Sequence, residues 1–340
     1  MKRRQATRAL LGSAAAVAIS GPAVVRAQQR ITWTMITPFP PSDITVHRFN
    51  EFAKAAEAAT EGRFRLRVLV AGQHPYQYRD GIRIVTDKLA EISHTGLTYM
   101  TSVESWFGLP LVPFAVPYEK QQAFMERWHE DIVRPYFAQK YKAKMLAYFL
   151  DSGGWGNAIH TPVPLKDFDS LKGLKIRAHD KNTAALAQAL GATPATVPYS
   201  ELYVAVQRKS IDGVMTSLNG AHAQKLWELL KFTDLYEPYF GVDEIFVDEA
   251  RWESLPADIR PKLAALFEEW FSTKPMLAYH GALNEKILDE AKNKYGATIT
   301  RMEGGFRDEA RKRTAHLLKD YVDGGGEPAA RSAELLQRLG

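Results

Sequence analysis

The chain has 340 residues, of which 46% are hydrophobic and 24% charged, and it contains no cysteine. That composition suits a soluble globular protein of roughly two domains at about 100–200 residues each, long enough to fold without metals or disulfides. The missing cysteine excludes disulfide frameworks, thiolate zinc sites, iron–sulfur clusters, cysteine nucleophiles and a lipid-modified N-terminal cysteine. A formal net charge of +5 points at first to an anionic partner such as nucleic acid. Five of the 44 basic residues (Lys2, Arg3, Arg4, Arg8 and Arg26) and none of the 39 acidic ones fall in the first 27 positions. The remainder is formally neutral, so no nucleic-acid partner is expected.

Residues 2–8 read KRRQATR, an apolar stretch follows from Ala9 to Val25, and Val25 and Ala27 fit an A-x-A-like cleavage site before Gln28. Gly12, Gly21 and Pro22 make that stretch a poor membrane span. Residues 1–27 are therefore expected to be a cleaved export signal, which places the mature protein in the periplasm. The pair Arg3-Arg4 resembles the twin-arginine export signal, with Ala6 and Thr7 standing where that motif favours Phe and Leu.

From Arg30 onward strand-like and helix-like segments alternate. The β-branched run 31–37 reads as a strand, and the Pro-rich turn 38–43 follows it. Residues 46–60 have helical apolar spacing, 61–72 a turn and a strand, and 80–96 a helix and then a strand. The alternation resumes near 143–161, with a strand at 172–180, a helix at 182–192, a short strand and turn at 193–201, and helix then strand over 201–217. Long amphipathic helices dominate 257–296, with Pro261 in a first turn and a break expected at Pro275. A further helix over 307–328 is expected to stop at the run Gly324-Gly325-Gly326. The pattern predicts an α/β fold with largely parallel sheets, whose ligands sit in loops beyond the carboxyl ends of strands.

The usual enzyme signatures are missing: no G-x-S-x-G, H-E-x-x-H, Walker A or G-x-G-x-x-G run occurs. The glycine-rich run GGWGNA (153–158) matches no phosphate-cradling loop, and it reads as a loop needing positive φ. His94, His160, His179 and His222 are scattered and read as satisfied polar residues rather than metal ligands. Glu268-Glu269 reads as part of a solvated helix face. No metal, cofactor or catalytic residue is expected.

The segment 170–217 is more specific. Its pieces LKGLKIR (171–177), ALGATPATVPYSELYVAVQ (189–207) and IDGV (211–214) resemble the central signature of TRAP-transporter periplasmic solute receptors of the DctP type. Weaker likeness extends over most of the mature chain, including 61–73 and 246–260. The resemblance implies a two-lobed, periplasmic-binding-protein-like fold: two α/β lobes around a ligand cleft, joined by crossing strands and a long connecting helix. It implies lobe I at 28–153 plus about 238–275, and lobe II at 154–237 plus about 276–340 with the C-terminal helices. It further implies a monomer that closes on a small-molecule carboxylate and delivers it to the small and large membrane subunits of a permease. An exported hydrolase or lyase acting on a similar acid, and a ligand-sensing periplasmic protein, stand as alternatives.

By that resemblance Arg177, the arginine of the KIR signature, clamps the ligand carboxylate. Only a guanidinium offers a rigid fork of donors to both carboxylate oxygens. As a cleft-facing side chain it is expected to contribute little to either lobe's core. Tyr199 in the VPYSEL turn is expected to wall the ligand, and Thr216 and Asn219 follow IDGV where relatives carry an asparagine. Many relatives carry a second arginine in a G-x-R stretch, where this chain has Asn157 and Ala158. A single arginine suits a second ligand charge poorly, and Trp155 offers a flat wall. The expected ligand is therefore a monocarboxylate, such as an aromatic, 2-oxo or 2-hydroxy acid, although His160 or a backbone donor is a possible substitute for the missing charge. Phe39, Asp43, Tyr76, His94, Thr95 and Tyr99 lie in loops after predicted strands, and Asp243 lies before FVDEARW, so all are further candidates.

Overall fold

The computed structural model describes residues 30–150, 158–236, 241–302 and 304–339. Its strands are β1 (Ile31–Ile36), β2 (Phe64–Leu69), β3 (Ile92–Thr95), β4 (Ala143–Leu150), β5 (Ala158–Thr161), β6 (Lys175–Ala178), β7 (Thr193–Thr196), β8 (Gly213–Thr216), β9 (Phe232–Leu235), β10 (Val242–Asp248) and β11 (Thr298–Arg301). They form a five-stranded sheet ordered β2-β1-β3-β10-β4 and a six-stranded sheet ordered β11-β9-β5-β8-β6-β7.

Both sheets are mixed, where the alternation of elements predicts largely parallel ones. Strands β1, β2 and β3 are parallel, but β10 runs antiparallel to both β3 and β4. In the second sheet β6, β7 and β8 are parallel, and β5 runs antiparallel to both β8 and β9. The inverted strands β5 and β10 each follow a strand of the other sheet by seven residues or fewer, too short a connection for the crossover of about a dozen residues that makes neighbours parallel. Each sheet is covered on both faces. Alternate residues divide between the faces: Ile36 and Phe246 join one core, and Met35, Ile245 and Val247 the other. Likewise Ala158, Val214 and Leu235 face one core of the second sheet, and Ile159 and Met215 its other.

Local chemistry sets the element ends. The helix Ile44–Ala59 begins at Asp43, whose backbone is extended and whose carboxylate Oδ1 accepts the Thr45 amide at 2.8 Å. Phe49, Phe52 and Ala56 form its buried face, packed against Phe267 and Phe271. Truncating either phenylalanine to alanine costs about 3–5 kcal/mol. The long amphipathic helices expected over 257–296 break at Ser272, three residues before the expected Pro275, between the helices Arg260–Phe271 and Thr273–Asn293. Pro275 lies inside the first turn of the second helix, where its missing N–H breaks no intrahelical bond.

The helix Thr273–Asn293 spans both lobes: Met276 packs in the core of the first sheet, and Ile287 and Ala291 in a core of the second. The C-terminal segment departs from the expected lobe assignment. After the helix Gly304–Thr314 the chain returns to the first sheet. Leu317, Tyr321, Ala329 and Leu336 of helices His316–Gly324 and Gly326–Leu339 share a core with Trp106, Phe107 and Trp128. The apolar stripe of those helices matches that aromatic surface, and Trp128 Nε1 donates to Ser332 Oγ at 2.9 Å. The three-glycine run divides these two helices and does not end the helical region. Gly108 is required here, because a Cβ at that position would stand 2.5 Å from Tyr321 Oη.

Candidate functional site

A cavity lies between the two sheets, beyond the carboxyl ends of parallel strands. Phe39, Asp43, Tyr78, Thr98, Tyr99 and Asp243 line it from the first sheet, and Arg177, His179, Tyr199, Thr216, Ser217 and Asn219 from the second. About 50 Å³ is open to the centre of a water-sized sphere, which suits a small molecule. Four aromatic rings wall it, with Phe39 and Tyr199 edge-on at 5.7 Å and Tyr78 and Tyr99 tilted at 4.4 Å.

Arg177 is 4% exposed near the end of β6. Its Nε donates to the Val197 carbonyl at 3.1 Å and its Nη1 to the Met215 carbonyl at 3.2 Å. Two of the five guanidinium N–H groups are thus fixed to backbone, which sets the plane of the fork. The other three are uncommitted among the described residues. Burial lowers the pKa of the group, opposed by the fields of Tyr99, Tyr78, Tyr199 and Asp180.

Asp43 joins the lobes. Tyr199 Oη donates to its Oδ2 at 2.9 Å, and Asn219 Nδ2 lies 3.4 Å from both carboxylate oxygens. Burial raises the Asp43 pKa, and the bonds from Thr45, Tyr199 and Asn219 pull it back. Thr98 Oγ1 donates to Asp180 Oδ2 at 2.5 Å, and Asn182 Nδ2 to the Gly108 carbonyl at 2.8 Å. These bonds hold the two lobes together around the cavity.

Of the residues expected from sequence, Phe39, Asp43, Tyr99, Arg177, Tyr199, Thr216, Asn219 and Asp243 line this one cavity. Trp155 and Asn157 lie outside the described residues. Three others do not line it. Tyr76 stacks on His74, and the Arg83 guanidinium sits over its ring. Thr95 turns its hydroxyl to the Tyr78 carbonyl at 3.2 Å. His94 is buried between Phe39, Phe49 and Phe149, with Nδ1 2.9 Å from Thr37 Oγ1 and Nε2 3.6 Å from Asp243 Oδ2. On β3 only the residues past the strand end reach the cavity.

His160 is no substitute for a second arginine. It is fully buried on β5, 2.9 Å from Thr233 Oγ1 and 3.3 Å from the Thr216 carbonyl, and burial pushes its pKa down to about 4. It is neutral at pH 7. Sequence reasoning missed Tyr78, Thr98, His179 and Ser217. His179 and Ser217 flank residues already singled out, within one or two positions of Arg177 and Thr216, and that proximity was the usable signal. Among the described residues no three His, Asp or Glu side chains come together to hold a metal ion, and no helix is long and apolar enough to cross a membrane.

Two α/β lobes, crossing connections and a polar, aromatic-walled cavity with an arginine fork define the class: a two-lobed binding protein for a small solute. Residues 36–323 match the family of bacterial extracellular solute-binding proteins, family 7 (DctP). The chain belongs to that family of TRAP solute-binding receptors. It is 26% identical over 162 residues to the 2,3-diketo-L-gulonate-binding periplasmic protein of Escherichia coli, covering 47% of this chain and 48% of the relative. It is 30% identical over 146 residues to the C4-dicarboxylate-binding periplasmic protein of Rhodobacter capsulatus, covering 43% of each. The chain thus spans about half the length of these curated relatives. Among solved structures, a Bordetella pertussis extracytoplasmic solute receptor binding pyroglutamic acid superposes with a TM-score of 0.79 at 19% identity, covering 90% of this chain and 99% of that one.

Proposed function

We propose that the protein is the periplasmic receptor of a TRAP transporter, and that it binds one small monocarboxylate between its lobes and hands it chemically unchanged to the small and large membrane subunits of the permease. The carrying observation is Arg177: a buried guanidinium, fixed by two backbone carbonyls, with three N–H groups left toward an interlobe cavity. A carboxylate takes two such parallel donors. Arg177 is the one Lys or Arg lining the cavity among the described residues, burial lowers the pKa of the lining His179, and His160 is held neutral. A second ligand carboxylate there lacks a cationic partner, and burying it unpaired is costly. The reading takes residues 1–27 as the export signal, with Arg3-Arg4 favouring the twin-arginine route.

The test is mass spectrometry of what co-purifies with the periplasmic protein, then calorimetry with organic acids on ligand-stripped protein. Mono-acids are expected to bind more tightly than their dicarboxylate counterparts. Small-angle scattering should report a smaller radius with ligand present, and prolonged incubation should return the acid intact. Turnover at enzyme-like rates would sink the reading in favour of a hydrolase or lyase.

A further inference from the structure

The same cavity holds buried acceptors that make no hydrogen bond among the described residues. Asp243 on β10 is 2% exposed, and its Oδ2 makes no hydrogen bond among the described residues; His94 Nε2 stands off at 3.6 Å. Asn219 is 6% exposed, and its amide N–H₂ is turned to Asp43, so its Oδ1 is the free end, also without a partner. Buried acceptors are normally paired, and each one left bare lowers affinity roughly five- to 150-fold. On the other side of the account stand donors: the uncommitted N–H groups of Arg177 and the Tyr78 hydroxyl, which is buried and unpartnered. The cavity therefore has donors for a carboxylate and acceptors for something else.

Resting on the receptor reading above, we propose that the ligand carries an N–H donor close to its carboxylate, as an ammonium or lactam N–H, received by Asp243 and Asn219. The receptor then selects amino acids or lactam acids over 2-oxo acids and oxygen isosteres. A 2-oxo group or ring oxygen presents only lone pairs, so both protein acceptors stay bare and face a further acceptor. A 2-hydroxy acid supplies one O–H and ranks between. This narrows the expectation from sequence, which set 2-oxo and 2-hydroxy acids side by side.

The experiment is calorimetry on ligand-stripped mature protein with matched acids on one skeleton. One set is pyroglutamate, proline and the lactone in which oxygen replaces the pyroglutamate N–H. The others are phenylalanine, phenyllactate and phenylpyruvate, and valine with its 2-hydroxy and 2-oxo counterparts. In whichever sets bind, the N–H member is expected to bind at least ~10-fold more tightly than the oxo or lactone member. Pyroglutamate against proline tells lactam from ammonium. Asp243→Asn should erase that preference, because the carboxamide can turn its own N–H₂ toward the ligand; Asn219→Ala serves as a second variant should the first not fold. Equal or tighter binding of the lactone or 2-oxo acids, still lost in Arg177→Ala, overturns this proposal and leaves the receptor reading standing. Failure of every acid to bind, with or without the donor, overturns both.

Discussion

Replacing Arg177 by alanine is expected to act on binding and on stability together. For binding, the change leaves the ligand carboxylate buried without its partner. Truncating one member of a buried, hydrogen-bonded charge pair costs about 2–5 kcal/mol, roughly a 30-fold to several-thousand-fold loss of affinity. For stability, the structure adds a term the sequence does not announce. The guanidinium satisfies the carbonyls of Val197 and Met215 at 3.1 and 3.2 Å, tying β6 to the ends of β7 and β8. Hydrogen bonds to a charged group are each worth about 1.5–3 kcal/mol, offset in part because alanine no longer buries a charge. A net loss of about 1–3 kcal/mol is expected, a fall of roughly 2–6 °C in melting temperature for a protein of this size. Arg177→Lys keeps the charge but cannot reproduce a planar fork that serves two carbonyls and a carboxylate. It should recover part of the stability and little of the affinity. Isothermal titration with the co-purifying acid, alongside calorimetric melting of all three proteins, measures both quantities. Affinity within about threefold of wild type in Arg177→Ala, less than ~1 kcal/mol, would place the carboxylate clamp elsewhere.

Tyr199→Phe removes the hydroxyl donor that bridges the lobes at Asp43, a bond of about 1.5–3 kcal/mol; ligand affinity should fall roughly 10- to 150-fold in titration, and an unchanged value would show that closure does not depend on it. His160 contributes to acid sensitivity. Its folded pKa is about 4 against an ordinary 6.5, so as pH falls from 6.5 the unfolded state takes up a proton that the folded state does not. Stability from this residue is intact above pH 6.5 and is lost toward pH 4, by roughly 3 kcal/mol in all at about 1.4 kcal/mol per unit. Melting curves of wild type and His160→Gln over that range should converge as pH drops, and parallel curves would refute the assignment. N-terminal sequencing of periplasmic protein should begin at or near Gln28, and a membrane-retained, unprocessed product would count against export by residues 1–27.

Much of this molecule is legible in its sequence because the legible parts are local. The strand at 31–36, the helix from Ile44 and the strand that carries Arg177 follow from side-chain composition and period. Arg177 stands out through the signature around it, the loops after strands deliver Phe39 and Tyr99 to the cavity, and Thr216 reaches it from the end of β8. What stays hidden depends on contacts distant in the chain. Nothing near Tyr78 announces that its hydroxyl will face Arg177 and Asp43, which lie 99 and 35 positions away. Strand direction at β5 and β10 is set by which sheet the chain comes from, and periodicity carries no record of that. The return of residues 316–339 to the first sheet depends on Trp106, Phe107 and Trp128, some two hundred positions earlier. Thr95 and His94 mislead for a simpler reason: they belong to β3 itself, where Thr95 turns its hydroxyl to the Tyr78 carbonyl and His94 packs among Phe39, Phe49 and Phe149.

The position of β10 has a consequence for how the chain assembles. It lies between β3 and β4, and β4 has no other neighbour in its sheet. Until residues 242–248 leave the ribosome, β3 offers an unpaired edge and β4 is not attached at all, so residues 30–150 expose strand edges that invite pairing with other chains. Strands β5 to β9, by contrast, form a contiguous block over 158–235 that awaits only its edge strand β11. Loop closure over the intervening hundred residues or so slows insertion of β10 relative to the pairings within that block. The first sheet is therefore begun before the second but cannot close until β5 to β9 have all been made, and the insertion of one seven-residue strand sets the period over which its edges are exposed to aggregation.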